Sequence, residues 1–422
     1  MDKIKSKTSK YLNIVLWCVL AIWLAAQICT VVSVQDIPQT GDALRYQQLA
    51  EESLANDSWY PMQSHIEGEF YDGGHPTYIC YPGYINLLEI YILIFGTIKA
   101  AFWFNILFNC LTALCIYKII YCLAGLNRAR LALCLFCLYP YQILLVGTTM
   151  SELPCIALTY LSILLVGDRR YGPLVVSAIL MVAASYIRTV SLVFAIAALL
   201  YMIKNRYGIG RFSTYLASAA VCCFGIIMLN KSISGYAFYS SSTLGTNMML
   251  GANDEADGMY NNATAAKEEN EKKMEGMNVF QIDSLEKAYA VNWIKQHPGR
   301  WSALAFQKMR YQMYPDSYIH VGRDDYSILG QNNNQNGFIL NVWRAYCWIY
   351  QILLIIFAIF GIWCRRHQLL RNDGIILLPF LGGLALAVLT VGHTRYNMPF
   401  IPILIYFAVW AISTNYKKLT TK

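Results

Sequence analysis

Residues 1–34 read MDKIKSKTSKYLNIVLWCVLAIWLAAQICTVVSV. The lysine-rich start gives way at Tyr11 to an apolar run, ending at Val34, that contains no acid, base or proline. As a helix, such a run crosses a hydrocarbon core of about 30 Å, which needs roughly 20 residues. No small-residue cleavage site interrupts it, so it reads as a retained signal anchor. Lys3, Lys5, Lys7 and Lys10 hold its leading end in the cytoplasm. The texture is general. Of 422 residues, 57% are hydrophobic and only 14% charged, with a mean hydropathy of +0.39. That balance excludes a set of ordinary soluble domains. The expected fold class is an all-α polytopic membrane protein, because a helix in lipid satisfies its own backbone.

Further apolar blocks fall at about 101–124, 128–147, 151–167, 172–188, 189–204, 211–230, 340–364, 374–391 and 398–413, making about ten transmembrane helices with the first. The connectors Asn127-Arg128-Ala129-Arg130, Asp168-Arg169-Arg170, 204–211 and 365–371 are basic, as is the tail with Lys417, Lys418 and Lys422. Alternating the spans puts all of them, and both termini, on the cytoplasmic side; the short connectors of the other side hold almost no Lys or Arg. The net charge of +8 is therefore a matter of membrane orientation, and no nucleic acid is expected. Most of the 13 cysteines lie inside apolar blocks, where a thiol acts as a small hydrophobe. Cys80 alone sits clearly in a polar loop, which argues against a disulfide framework or a thiolate metal site.

The apolar stretch 84–96 is short for a span, and counting it as one would invert every later connector, so it reads as an interfacial or re-entrant helix on the outer face. Two long outer loops remain, 35–83 and 231–339. They divide the chain into an N-terminal membrane module (1–230), a large extracytoplasmic loop (231–339) and C-terminal membrane helices (340–422). In the second loop Asp283 and Glu286 form a candidate capping box for a helix ending at His297-Pro298-Gly299. A second amphipathic stretch follows over 301–314. The charged run 265–276 reads as a solvated helix or a flexible excursion.

The first outer loop is acidic, with Asp36, Asp42, Glu51, Glu52, Asp57, Glu67, Glu69 and Asp72 against a single Arg45. Asp42 opens an expected helix just beyond the first span, where a plain N-cap would also explain it. Other ionisable groups recur at span ends of the same face. Glu152 begins the fourth span, Arg188 lies in the turn between the fifth and sixth, and His393, Arg395 and Tyr396 precede the last. Any single arginine is explained by snorkelling to the headgroups. Two arginines and two carboxylates on one face fit a polar site better. Nucleotide-activated donors are absent outside, so group transfer there calls for a membrane-embedded donor such as a polyprenyl-phosphate sugar. A carboxylate would take the acceptor hydroxyl's proton, and arginine would stabilise the leaving phosphate. Asp42, with Arg188 and Arg395, supplies those roles. Trp59, Tyr60, Tyr71, Tyr78 and Tyr81 could stack on sugar rings or form an interfacial aromatic belt.

In order along the chain stand Gly41-Asp42-Ala43 with Tyr46 and Ala50, Tyr81-Pro82-Gly83-Tyr84 leading to Phe95-Gly96, Ser151-Glu152-Leu153-Pro154, Ile187-Arg188-Thr189, His297-Pro298, and Arg395-Tyr396-Asn397-Met398-Pro399 with Pro402. In this the chain resembles the GT-C fold, integral-membrane glycosyltransferases that use polyprenyl-phosphate donors. It is similar to bacterial members of glycosyltransferase family 39, related to the protein O-mannosyltransferases and to the aminoarabinose transferase of lipid A. The resemblance implies a glycosyltransferase acting on the outer face, with inversion, in cell-envelope glycan, glycolipid or glycoprotein assembly. It implies Asp42 as the catalytic carboxylate, Glu152 beside it shaping the acceptor site, and donor-phosphate contacts from Arg188 and Arg395. Tyr46, His393 and Tyr396 join them as candidate substrate contacts. The chain departs from the family at Asp42-Ala43, where an Asp-Glu pair is common, and at His75-Pro76, where some relatives carry another basic residue; His75 is thus a candidate phosphate or metal contact. No organic cofactor is called for, and a divalent cation stays open. The expected partners are the lipid-linked donor, a glycan, lipid or protein acceptor, and the bilayer. Two rivals remain, an outer-face oligosaccharide polymerase and a lipid-linked sugar transporter or flippase. The Asp42 motif argues against the first, and the gathering of charge at one surface without internal repeats argues against the second.

Overall fold

Where the sequence runs apolar the backbone is helical. A computed structural model describes residues 2–62, 71–72, 75–76, 79–261, 263–274, 276–314 and 337–420. Helix α1 (Asp2–Val34) leads into the first long loop, which holds α2 (Gly41–Ala55), the two-residue antiparallel strands β1 (Tyr71–Asp72) and β2 (His75–Pro76), and α3 (Pro82–Phe95). Then come α4 (Ala100–Ala124), α5 (Leu126–Leu138), α6 (Tyr141–Leu145), α7 (Glu152–Val166), α8 (Tyr171–Ile187), α9 (Leu192–Lys204) and α10 (Ile209–Ser234). The second long loop contributes α11 (Leu244–Gly251), α12 (Thr264–Met274), α13 (Val279–Gln296) and α14 (Pro298–Met313). The chain continues through α15 (Gly337–Cys364), the single turn α16 (Arg366–Gln368), α17 (Gly374–Leu389) and α18 (Ile401–Thr420). Among the described residues five helical segments are long and apolar enough to cross a membrane: Asn13–Val34, Ala100–Ala124, Ile209–Ser234, Asn341–Cys364 and Thr394–Ser413. Five more apolar helices are shorter, α3 among them.

The block 128–147, expected as one span, is two helices. Pro140 lacks an N–H and disfavours helix at the residue before it, and Tyr139 is accordingly extended at φ −67° and ψ 116°. The Gln142 side chain donates to the Phe136 carbonyl, which also accepts from Tyr139 N at 3.0 Å. The core joins α1, α4, α5, α7 and α18 through Trp23, Ile116, Phe136, Tyr160 and Phe407. Among the basic connectors, Trp410 lies between the guanidinium groups of Arg128, at 3.6 Å, and Arg365, at 3.9 Å. Arg365 also pairs with buried Asp373 at 2.6 Å.

The described part of the second loop, up to residue 314, is folded and docked. Its third helix begins earlier than expected, capped by Asn278 and Gln281 in a reciprocal box. Asp283 and Glu286 therefore lie inside α13, where both reach α11: Asp283 Oδ1 accepts from Gly245 N at 2.6 Å and Glu286 Oε2 from Thr246 Oγ1 at 2.6 Å. The charged run 265–276 includes helix α12. Helix α14 packs on α17, and its Lys308, fully buried, donates from Nζ to Val388 O at 3.0 Å. That carbonyl is in the last turn of α17, where helical acceptors lack partners and a cation is favoured. A Cβ on Gly251 would run into Thr390 O, and one on Gly392 into Lys308 O, so backbones meet there without room for side chains.

Lys308 is the buried peg of this docking. Lys308→Ala should destabilise the protein by about 2–5 kcal/mol, as other large buried side chains do, and open the second loop to limited proteolysis. Burial pulls the Lys308 ammonium from its ordinary 10.5 down to about 8. The folded protein then binds fewer protons than the unfolded chain between those values, so stability from this residue rises with pH across that window. Lys308→Met should flatten the rise. Unaltered melting and cleavage patterns in both variants would mean that the loop docks without it.

Candidate active site

Helix α2 starts at Gly41, whose φ of +56° suits glycine, after Thr40, which caps nothing with its side chain. Asp42 is in the first turn but does not cap it. Its Oδ2 accepts from Arg395 Nη2 at 2.7 Å, joining positions 353 residues apart. Burial alone would push the Asp42 carboxyl up; the charge and hydrogen bond of Arg395 outweigh it, and the group lies below its usual range.

Arg395 belongs to a short 3-10 helix, Thr394–Phe400. His393 caps this turn, its Nδ1 accepting from Arg395 N at 3.2 Å. Burial, reinforced by the Arg395 charge, pulls His393 down to about 3, so it is a neutral imidazole at ordinary pH. Arg395 Nε is buried without a hydrogen-bond partner.

Arg188 and Glu152 form a separate, deeper pair. Arg188 Nη1 donates to Glu152 Oε1 and to Ser151 Oγ, each at 2.8 Å. The two side chains are 7% and 1% exposed, respectively, and neither lines the cavity described below. Tyr81 and Tyr396 cover the Arg188 guanidinium, with ring centres at 4.9 Å and 5.8 Å. Tyr81 introduces α3 in the left-handed region, φ 39°, an uncommon conformation for a non-glycine residue and one that concentrates at functional sites. Tyr46, fully buried, sets its ring edge-on to Tyr81 and Tyr84.

These groups enclose a cavity of about 220 Å³, with Asp42, Tyr46, Tyr81, His393, Arg395 and Tyr396 on its wall. The structure thus brings most of the expected site residues together and sets Glu152 and Arg188 one layer behind. The His75 side chain, with Glu67, Glu69 and Tyr78, lies outside the described residues. Tyr60 is buried and accepts from Cys80 N at 3.0 Å, so it braces the loop. Cys80 completes the near wall, and Thr243, Thr246, Asn247 and Tyr260 of the second loop supply the remainder. Nothing in the sequence singles these four out, because neutral polar residues are the ordinary content of a long loop. Among the described residues no three His, Cys, Asp or Glu side chains gather as a metal site.

No family model and no curated protein sequence matches the chain. Solved structures do. The Archaeoglobus fulgidus oligosaccharyltransferase AglB, in complex with an inhibitory peptide and a dolichol-phosphate, matches 96% of this chain and 51% of its own at 13% identity and a TM-score of 0.53. The apo form of the same organism's oligosaccharyltransferase matches 95% and 51% at 12% identity and 0.50. ArnT from Cupriavidus metallidurans, bound to undecaprenyl phosphate, matches 93% and 77% at 13% identity and a TM-score of 0.38. This chain spans about half the length of the archaeal proteins. At such identities the likeness is one of fold: this chain shares the GT-C fold of the archaeal oligosaccharyltransferase.

Proposed function

We propose that the protein is a membrane glycosyltransferase that moves a sugar from a polyprenyl-phosphate donor to an acceptor hydroxyl on the outer face of the membrane. The observation that carries this reading is the Asp42–Arg395 contact in the wall of a cavity. It pairs a proton acceptor with a phosphate-binding cation, the two groups such a transfer requires. The dolichol-phosphate bound by the archaeal oligosaccharyltransferase AglB, whose fold this chain shares, supports the donor class.

The donor phosphate lies on Arg395, whose unpartnered Nε offers a further donor; its lipid tail runs into the bilayer. The acceptor hydroxyl attacks the anomeric carbon and passes its proton to an Asp42 oxygen. The bond from that carbon to the phosphate oxygen breaks, and its electron pair leaves with the phosphate, held by Arg395. Direct displacement inverts the anomeric centre. In the resting protein Arg395 holds Asp42 below its ordinary basicity. A phosphate competing for the guanidinium releases the carboxylate, so donor binding prepares the base. Glu152 fixes Arg188, and Arg188 fixes Tyr81 and Tyr396 through their ring faces. Glu152 therefore acts as a positioning residue.

Asp42→Asn keeps size and removes only the basicity. In a strain lacking the wild-type protein it should accumulate normally while transfer falls by about 10²–10⁴-fold, read by mass spectrometry of lipid-linked sugars and surface glycans. Full restoration of the glycan would refute the assignment. Arg395→Ala should weaken donor binding by about 2–5 kcal/mol, with Arg395→Lys recovering part, since lysine keeps the charge and loses the planar fork. Wild-type donor affinity in both variants would leave Arg395 a structural partner of Asp42. A cysteine-accessibility map should place residues 231–314 outside and both termini inside; the reverse arrangement would deny the site its donor.

A further inference from the structure

Among the described residues the charge on the cavity wall is confined to one part, Asp42 with Arg395, and the pair is mutually compensated. His393 is neutral there. The described residues that the second loop contributes, Thr243, Thr246, Asn247 and Tyr260, carry no charge and are set up in a particular polarity. Thr246 gives its hydroxyl hydrogen to Glu286 at 2.6 Å, and Thr243 gives its own to Ser241 Oγ at 3.3 Å. Both hydroxyls therefore face the cavity as oxygen acceptors. Asn247 spends one amide hydrogen on Thr243 O at 2.7 Å, which leaves its Oδ1 and second N–H for a ligand. Helix α11, which carries Thr246 and Asn247, is held by the Asp283 bond to Gly245 N at one end and by the close packing of Gly251 on Thr390 O at the other. The wall is rigid, neutral and rich in acceptors.

On the donor reading above, on which this rests, we infer that α11 is the sugar-recognition wall: Thr246 and Asn247 accept hydrogen bonds from the hydroxyls of a neutral sugar, and the protein selects against charged sugars. A sugar carboxylate would face the hydroxyl lone pairs of Thr243 and Thr246, with a single Asn247 N–H to offset them. An ammonium group directed at α11 would meet no carboxylate among the lining residues there, Asp42 standing on the other part of the wall. A ring of neutral hydroxyls meets neither penalty, and each hydroxyl can satisfy an acceptor that is otherwise desolvated.

The test uses the full-length protein in nanodiscs, with native mass spectrometry to measure binding of bare decaprenyl phosphate and of its glucosyl, mannosyl, galactosyl, glucosaminyl and glucuronosyl esters. At least one neutral hexose should bind about tenfold more tightly than the bare lipid phosphate, and the two charged esters should gain nothing. Loss of a neutral hydrogen bond costs about two- to tenfold in affinity. Asn247→Ala should therefore remove most of the sugar gain while leaving affinity for bare decaprenyl phosphate unchanged; that affinity also reports correct folding. The nearly isosteric Asn247→Asp places a carboxylate on the wall and should shift preference to the glucosaminyl ester. Normal binding of the bare phosphate with no gain for any neutral hexose, a preference of the wild type for a charged ester, or a sugar gain that survives both substitutions would overturn the inference alone. Failure of the wild type to bind bare decaprenyl phosphate would overturn the donor reading and this inference with it.

Discussion

A carboxylate at position 42 and a guanidinium at position 395 meet at 2.7 Å, and most of the architecture can be understood as the means of bringing them together. Asp42 arrives on the first helix after the first span, and Arg395 on the turn before the last. Neither is placed by its own neighbours in sequence. Partly buried charges are costly unless compensated, so the pair ties the ends of the chain into one site. The contact also sets the chemistry: while it lasts Asp42 is a weak base, and whatever draws Arg395 away strengthens it.

A second ion pair supports the first from behind. Glu152 and Arg188 are almost fully buried, and removing one partner of such a pair typically costs about 3–5 kcal/mol because the other charge is stranded. Their influence reaches the cavity through aromatic faces, Tyr81 and Tyr396, rather than through direct contact with a ligand. The second loop then completes the enclosure. It is anchored by Lys308 on the last turn of α17, close to the turn that carries His393 and Arg395. Docking of the loop and the placement of Arg395 are therefore coupled: where α14 meets Gly392, the loop sets the height of the turn from which Arg395 extends.

The helical character of the chain and the boundaries of most helices were legible in the sequence, since apolar blocks and basic connectors are long, regular signals. So was the set of ionisable residues at span ends, because charge in an apolar context stands out. Details set by tertiary contacts were not. Asp283 and Glu286 have the spacing of a capping box, but the helix begins at Val279 under Asn278, and the two acids bind α11 instead. Lys308 lies unmarked within the amphipathic stretch 301–314, and its burial follows only from where α14 docks. Glu152 looked like a site carboxylate until its pairing with Arg188 set it behind the wall. Thr246 and Asn247 carried no signal at all.

The central claim is that Asp42 and Arg395 flank the phosphate and anomeric carbon of a lipid-linked sugar. An electron cryomicroscopy structure of the protein in nanodiscs with a bound hexosyl polyprenyl phosphate tests it most directly. The account predicts phosphate density on Arg395, the Asp42–Arg395 contact lengthened, and the sugar between Asp42 and α11. Density for the lipid phosphate at the far end of the bundle, against Arg128 and Arg365, with the Asp42–Arg395 pair intact, would contradict it.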